Sequence, residues 1–128
     1  MTTSEKAGGR LRSVLSRLTA EREELVAAEE AERSAAVGAT PCGLLKDRVR
    51  VTASGVLRTV TLRPRGGVPA LEAELFDGSG TLSVVWLGRR EIAGIEPGRR
   101  ISVHGLVSCW HGRTVMYNPR YELLGSTP

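Results

Sequence analysis

The stretch LEAELFDGSGTLSVVW, residues 71–86, predicts a β-hairpin around which the rest of the fold is organised. Two runs of alternating apolar residues flank the tetrapeptide DGSG at positions 77–80. Alternation places every second side chain on one face of a strand, and an Asp-Gly pair favours a tight reversal of the chain. Because Trp86 shares the parity of Leu82 and Val84, we predict that its indole lies in the core.

Alternating apolar residues predict three more strands after Pro41, at residues 48–62, 101–107 and 114–124. In the first of these strands the parity changes around Gly55, which indicates a β-bulge at that glycine. In the last strand, Pro119 indicates an edge or a bend. Residues 64–69 and 108–113 are predicted loops.

The segment between the hairpin and the fourth strand, residues 88–98, is too short and too interrupted by glycine for a full helix. We predict a single helical turn there, with Ile92 and Ile95 pointing inward at one barrel mouth. The resulting order is a long strand, a hairpin pair, a helical turn and two further strands. That order is typical of the all-β, five-stranded Greek-key OB barrel.

Helical periodicity dominates the part of the chain that precedes the predicted barrel domain at residues 41–128. Apolar residues recur there at helical spacing, at Leu11, Val14, Leu15 and Leu18. We therefore predict a helical appendage over residues 1–40, with a disordered start at residues 1–9. The apolar stripe thins after Val26, so the second half of the helix is predicted to be solvated or frayed.

This apolar stripe has two interpretations. In the first, the helix within residues 10–36 docks on a protein partner or on a second copy of the chain. In the second, the same stripe packs back on the barrel of its own chain. One short stripe of apolar residues is compatible with both.

Charge is unevenly distributed along the chain. Residues 41–128 carry 12 Lys and Arg against 7 Asp and Glu, whereas residues 1–40 carry 6 against 7. The predicted barrel is therefore the basic part, as the binding of a polyanion requires. The excess of arginine over lysine fits phosphate recognition, although a bias in genome composition explains it equally well.

Several classes of function lack their sequence motifs. Cys42 and Cys109 stand far apart with no Cys-x-x-Cys spacing, which argues against a zinc site and a structural disulfide. No apolar segment is long enough for a membrane span or a secretory signal, so we expect a cytoplasmic protein with free thiols and no membrane partner. Nucleophile, metalloprotease and phosphate-loop motifs are missing, so we expect neither catalysis nor a cofactor.

Three motifs carry a resemblance to a known family. The DGSG turn followed by LSVVWL (residues 82–87) resembles the signature of strands 2 and 3 in OB-fold nucleic-acid-binding domains. PGRRISVHGLV (residues 97–107) is similar to their fourth strand, G-x-x-v-x-v-x-G-x-v. VMYNPRY (residues 115–121) is similar to the M-x-x-P-x-Y ending of the wedge domain in RecG-type branch-migrating helicases.

The resemblance covers roughly residues 48–124 and implies a stand-alone OB protein, because the chain has no room for helicase motor domains. OB barrels bind single-stranded nucleic acid across strands 2 and 3, clasped by the loops between strands 1 and 2 and between strands 4 and 5. The resemblance therefore implies that single-stranded DNA or RNA is the partner.

Candidate contact residues concentrate in the two clasping loops. They are Arg58, Arg63 and Arg65 in the first and Trp110, His111 and Arg113 in the second. Such a site requires cations for phosphates and flat rings for bases. No apolar periodicity recruits Trp110 to the core, so we predict that it faces the ligand. Phe76, of opposite parity to Leu75, either faces outward on the binding surface or caps the barrel end.

Two features oppose the binding of a polyanion. Aromatic residues make up only 4% of the chain, which limits stacking on bases. Glu72 and Glu74 fall on the predicted binding face, where carboxylates repel phosphates unless neighbouring arginines neutralise them.

Two hypotheses follow from the sequence. The first is a non-enzymatic OB-fold module that binds nucleic acid, single-stranded DNA before RNA, through its arginine-rich and aromatic loops. The alternative is a protein-interaction adaptor that recruits a partner through the N-terminal helix or an exposed barrel edge.

Overall fold

The computed structural model describes the backbone of residues 2–125 and the side chains of residues 13–125. In chain order the elements are helix α1 (Thr2–Ala36), a 3-10 turn (Cys42–Leu44), and strands β1 (Arg50–Leu62), β2 (Ala70–Phe76), β3 (Thr81–Leu87), β4 (Arg100–Trp110), β5 (Arg113–Tyr117) and β6 (Arg120–Leu123). None of the described helices is long and apolar enough to cross a membrane.

Strands β1 to β5 close into a barrel in the order β1-β2-β3-β5-β4-β1, and β6 adds to β4 outside that ring. Strands β3 and β5 are parallel, and the other neighbours in the ring are antiparallel. The first half of β1 pairs with β4 and its second half pairs with β2, so one long strand closes the barrel. The predicted β-barrel with an N-terminal helix is confirmed.

The predicted bulge in β1 exists, but its predicted position at Gly55 is wrong. The register of β1 on β2 shifts between Leu57 and Thr59, so Arg58 is the extra residue. Gly55 instead lies where β1 passes from β4 to β2, and a Cβ there would overlap the carbonyl oxygen of Phe76. The glycine is required by this close approach of two backbones.

The barrel interior is filled by aliphatic side chains from every strand of the ring, including the fully buried Leu57, Leu75, Leu82, Ile101 and Met116. Trp86 is also buried, as its parity predicts, and its ring meets the edge of Tyr121 on β6 at a centroid distance of 5.7 Å. The hydrophobic core thus lies inside the barrel, and the outer face of the strands is left for other contacts.

The helical turn predicted between β3 and β4 is wrong, because this segment forms turns without helix. The N–H of Ile95 donates to the carbonyl of Ile92 at 3.1 Å, which closes a single β-turn. Both isoleucines are buried in the core cluster, as predicted. Their burial does not require a helix, since one turn brings residues three apart to the same side.

The loop predicted at residues 108–113 is shorter in the structure. Strand β4 continues to Trp110, and β5 begins at Arg113. The two residues between them, His111 and Gly112, have φ values of 49° and 74°, typical of a two-residue hairpin turn. This tight turn fixes the direction of the side chains on both sides of it.

Pro119 bends the chain, as predicted, and divides the predicted last strand into β5 and β6. Asn118 adopts a positive φ of 47° before the proline. Its N–H donates to the carbonyl of Val85 at 2.7 Å, and its side-chain Oδ1 accepts from the N–H of Leu87 at 2.9 Å. Asn118 thereby continues the pairing of β5 with β3 through the bend.

The turn between β2 and β3 also holds the segment that leads into the barrel. Asp77 is buried, and its carboxylate accepts hydrogen bonds from the N–H groups of Ser79 at 2.9 Å, Gly80 at 3.1 Å and Cys42 at 2.7 Å. Burial raises the pKa of the Cys42 thiol, and the neighbouring carboxylate raises it further. Cys42 is therefore an inert thiol that fills the core.

Helix α1 docks on the barrel through its second half, so the prediction of a solvated or frayed second half is wrong. The main chain at Ala27 and Ala31 lies so close to Gly78 that a Cβ on that glycine would overlap the Ala27 carbonyl oxygen. Glu30 is buried and forms two hydrogen bonds with Arg100 at the start of β4. A close contact at a glycine and an ion pair thus hold the helix on the barrel, and not the leucines that one of the two interpretations places there.

The apolar residues of the first half of α1 do not pack on the barrel. Val14, Leu15 and Leu18 are each more than half exposed. The side chain of Leu11, the first residue of the predicted stripe, lies outside the described residues. The division of the chain at residue 40 stays a prediction.

Candidate nucleic-acid interface

The outer face of β1, β2 and β3 carries a polar groove with a volume of about 290 Å³. Its floor is formed by side chains whose parity is opposite to the core: Thr59, Thr61, Glu72, Glu74 and Ser83. Arg63 lies at the end of the groove next to the β1–β2 loop, and Arg113 reaches in from the β4–β5 turn. The alternation that builds the core therefore also builds this groove.

Glu72 is the centre of the groove. Arg113 donates from Nη2 to Oε1 of Glu72 at 2.8 Å and to Oγ of Ser83 at 3.2 Å. Nη2 of Arg65 lies 3.6 Å from the other carboxylate oxygen, Oε2, which is an ion pair without a hydrogen bond. Two arginines from separate loops thus converge on one carboxylate.

Charge in the groove is positive overall. Arg63, Arg65 and Arg113 face two carboxylates, Glu72 and Glu74. A polyanion can bind on this face only if arginines neutralise its carboxylates. Arg65 and Arg113 do so at Glu72. Glu74 forms no ion pair with another described side chain, so it remains the opposing charge on this face.

Arg65 also contacts Tyr117, which the sequence analysis missed. The guanidinium donates to the Tyr117 hydroxyl at 3.2 Å and lies 5.7 Å from the ring centroid. Tyr117 pairs with Val85 across the parallel β3–β5 pair, so its ring belongs to the same outer face. The parity of Tyr117 relative to the buried Met116 is the signal that could have identified it.

Trp110 and His111 stand at the β4–β5 turn, directly next to Arg113. The Trp110 side chain is 76% exposed, and its ring lies 4.5 Å from the His111 ring at an angle of 49°. Trp110 pairs with Arg113 across the turn. The predicted grouping of an exposed aromatic with a cation therefore exists beside the groove.

Arg58 and Phe76 are separated from the other predicted contact residues. The guanidinium of Arg58 stacks on the Phe76 ring, 3.5 Å from its centroid. Phe76 shares the outer face with Glu72 but lies four residues further along β2, a separation of about 13 Å. The pair borders a cleft of about 610 Å³ against α1, where Glu23 and Glu24 lie.

This position answers the open question about Phe76 and changes the assignment of Arg58. Phe76 lies on the outer face, covered by a guanidinium. Arg58 belongs to the bulge of β1 and not to the β1–β2 loop. The sequence could not separate it from Arg63 and Arg65, because a bulge inside a long strand and a loop after a short strand have similar patterns.

Neither cysteine is paired: Cys42 is buried and Cys109 is exposed. Within residues 13–125, no group of three or more His, Cys, Asp or Glu side chains could hold a metal ion. Comparison with known proteins adds no assignment, since no protein-family model and no curated protein matches the chain. The functional argument therefore depends on the barrel and on the geometry of its outer face.

Proposed function

We propose that this protein is a non-enzymatic OB-fold module that binds single-stranded nucleic acid, DNA before RNA. The ring order β1-β2-β3-β5-β4-β1 supports the assignment of a Greek-key OB barrel. In such barrels the face of strands 2 and 3, with the loops between strands 1 and 2 and between strands 4 and 5, holds the ligand. The polar groove occupies that face.

The observation that carries the proposal is the convergence of Arg65 and Arg113 on Glu72 between the two loops. Arg113 uses only Nη2 in the hydrogen bonds described above, and its side chain is 55% exposed. Its remaining N–H groups are available to a phosphate. Because Glu72 already orients the guanidinium, less side-chain entropy is lost when a phosphate binds.

The aromatic part of the proposal is Trp110. An exposed indole beside a phosphate-binding arginine provides the flat surface on which a base stacks. In this arrangement the backbone of the bound strand follows Arg63, Arg65 and Arg113, and a base stacks at the β4–β5 turn. Glu74, which forms no ion pair with another described side chain, lowers the affinity because its charge repels phosphate.

The test is fluorescence anisotropy of a labelled single-stranded oligonucleotide of about 12 nucleotides, a length within the range that OB folds cover. We expect binding that weakens steeply as salt rises, because bound cations displace counterions from phosphates. Trp110→Ala should raise Kd about tenfold, since a stacked base contributes about 1–3 kcal/mol. A DNA and an RNA oligonucleotide of the same sequence compare the two ligands directly.

A matched pair of variants separates the groove from general basicity. Arg113→Ala and Arg120→Ala remove the same charge, but Arg120 lies on β6, which pairs with β4 outside the ring and does not line the groove. We expect only Arg113→Ala to weaken binding clearly. Equal losses for the two variants, or no binding at low salt, would contradict the proposal.

The adaptor alternative has one structural observation in its favour, the exposed apolar residues in the first half of α1. A truncation that tests it must end before Ala27. A longer deletion removes Glu30 and leaves Arg100 without its partner, which would disturb the barrel itself. Loss of a co-purifying partner on deletion of residues 1–22 would support the adaptor function.

A further inference from the structure

The first half of α1 presents an apolar surface that no other part of the described chain covers. Val14, Leu15 and Leu18 are exposed there, and Leu25, seven residues after Leu18, continues the same face into the second half. Leu15 and Leu18, with Thr19 and Arg22, line a shallow groove along the helix with a volume of about 420 Å³. Their spacing of three, four and seven residues is that of one helix face.

This apolar face lies on the opposite side of the helix from the barrel. The residues that meet the barrel are Ala27, Glu30, Ala31 and Ser34. Leu18 precedes Ala27 by nine residues, about two and a half turns, which places their side chains on opposite sides of the axis. A second helix can therefore pack on the apolar face without displacing the barrel.

Exposure of this face is unfavourable in a free chain. A helix of 35 residues is about 52 Å long, and its close contacts with the barrel lie between Ala27 and Ser34. Helices in water gain most of their stability from packing an apolar face and little from intrinsic propensity. The exposed apolar residues of α1 are therefore a candidate interaction surface.

The charges along α1 identify the occupant. Residues 2–19 carry four Lys and Arg and one Glu, whereas residues 20–36 carry six Glu and two Arg. A second copy of the helix running antiparallel sets the basic half of each chain against the acidic half of the other. A parallel copy would set like charges together along the whole pair.

We infer that the exposed face of α1 opposite the barrel, from the apolar residues of its first half to Leu25, is a dimerisation surface, on which a second copy of this chain packs its own α1 in antiparallel orientation. Arg22 lies within the apolar face, and a polar residue in such a seam lowers stability while it specifies the register. The dimer is therefore weak and concentration-dependent. This inference is independent of nucleic-acid binding.

The test is sedimentation velocity of the full chain, without nucleic acid, over a series of protein concentrations. We expect a monomer–dimer equilibrium that the double substitution Leu15→Glu and Leu18→Glu shifts to monomer. The matched control is Leu44→Glu, since Leu44 is 68% exposed and Leu15 is 61% exposed, but Leu44 lies in the 3-10 turn outside α1. This control should dimerise like the original chain.

A second pair of substitutions, Leu15→Ala and Leu18→Ala, protects the test against loss of the helix. Alanine has the higher helix propensity, so circular dichroism should show an intact helix while the apolar surface is lost. These variants should also be monomeric. A chain that is monomeric at every concentration, or a dimer that persists in the variants, would overturn the inference.

The salt dependence of dimerisation tests whether the two α1 helices pack in antiparallel orientation. Raising ionic strength from about 0.1 M to 1 M shortens the Debye length from roughly 10 Å to 3 Å, which screens the attraction between opposite charges. An antiparallel dimer should dissociate more readily at high salt, by several-fold in Kd. A dimer that becomes tighter at high salt would show like charges in contact and would overturn the antiparallel arrangement.

Discussion

Two arginine–glutamate clusters in this protein share their chemistry but differ in how far their arginines are exposed. In the docking cluster, Glu30 of α1 meets Arg100 of β4 through hydrogen bonds of 2.6 and 2.8 Å, and their side chains are 8% and 25% exposed. In the groove cluster, Glu72 is nearly as buried, but Arg65 and Arg113 remain about half exposed. The two carboxylates are similarly buried, whereas the arginines differ in exposure.

The difference indicates what each cluster can do. Arg100 meets its carboxylate with both terminal nitrogens, a fork geometry that joins two elements of the fold. Arg113 holds its carboxylate with one nitrogen and keeps other donors at the surface. A closed cluster stabilises a docked helix, whereas an open cluster keeps donors at the surface, which the proposed function assigns to a phosphate.

The largest expected effect comes from the contact beside the docking cluster. Gly78→Ala places a Cβ against the Ala27 carbonyl oxygen and 2.8 Å from the Ala31 nitrogen, at a φ of 90°. We expect a loss of about 3 kcal/mol in the free energy of unfolding, from strain at positive φ together with overpacking. Urea denaturation gives this free energy, and hydrogen exchange of residues 27–36 reports undocking of α1 directly.

The matched control for this substitution is Gly88→Ala. Gly88 also has a positive φ, 78°, but a Cβ there meets no atom within 4 Å. The free energy of unfolding of the Gly88→Ala variant should therefore fall only by the cost of backbone strain at positive φ, about 1 kcal/mol. Equal losses for the two variants would mean that the close contact between α1 and the hairpin turn does not contribute to stability.

An intermediate effect is expected from Glu30→Gln, which should cost about 2 kcal/mol at neutral pH because a charge-assisted hydrogen bond is lost. The pKa of Glu30 is lowered, first by the hydrogen bonds from Arg100 and then by the charges of Arg100 and Arg33, against the opposing effect of burial. A lowered folded-state pKa means that the unfolded chain takes up the proton more readily.

The stabilisation from Glu30 is therefore complete above the unfolded pKa of about 4.3 and is lost as pH falls through the lower folded value. Urea denaturation of the original chain and of the Glu30→Gln variant, between neutral pH and about pH 3, gives the two free energies of unfolding. The difference between them should disappear in acid. A difference in the free energy of unfolding that stays constant over this pH range would show that the charge of Glu30 does not hold the helix on the barrel.

The smallest expected effect belongs to the groove cluster. Glu72→Gln removes a charge that competes with phosphate for Arg65 and Arg113, so single-stranded DNA should bind roughly threefold more tightly, the scale of a partly exposed ion pair. Glu122→Gln on β6 is the matched control, with the same change in net charge away from the groove. Anisotropy titrations of both variants at one salt concentration measure the difference.

Weaker binding of single-stranded DNA by the Glu72→Gln variant would be the opposite result. It would mean that the Glu72 carboxylate is needed to hold the two guanidiniums in place and acts as a positioning residue. The groove cluster would then depend on its internal contacts as much as the docking cluster does.

The candidate site could be predicted from the sequence in its composition but only partly in its arrangement. Trp110, His111 and Arg113 lie together as expected, because a short turn connects them whatever the rest of the fold does. Proximity in the sequence groups Arg58 with Arg63 and Arg65. The structure separates them, since a strand extends a few residues over more than 10 Å.

The sequence by itself determined the features that follow from local rules. The DGSG hairpin, the burial of Trp86 and the bend at Pro119 all follow from strand parity or turn chemistry. The burial of Ile92 and Ile95 follows from their apolar side chains and their spacing of three residues, although a β-turn replaces the expected helical turn. These properties depend on a few neighbouring residues and on the need to bury apolar area, so a single chain segment is enough to specify them.

Only the tertiary structure decided which half of α1 docks and which arginines neutralise Glu72. Glu30 and Arg100 are 70 residues apart, and Arg113 and Glu72 are 41 residues apart. The apolar stripe leaves packing on the barrel and docking on a partner both open, whereas in the structure a glycine contact and a buried ion pair dock the second half of the helix. Such contacts depend on where the closed barrel brings distant side chains, and no local periodicity encodes that position.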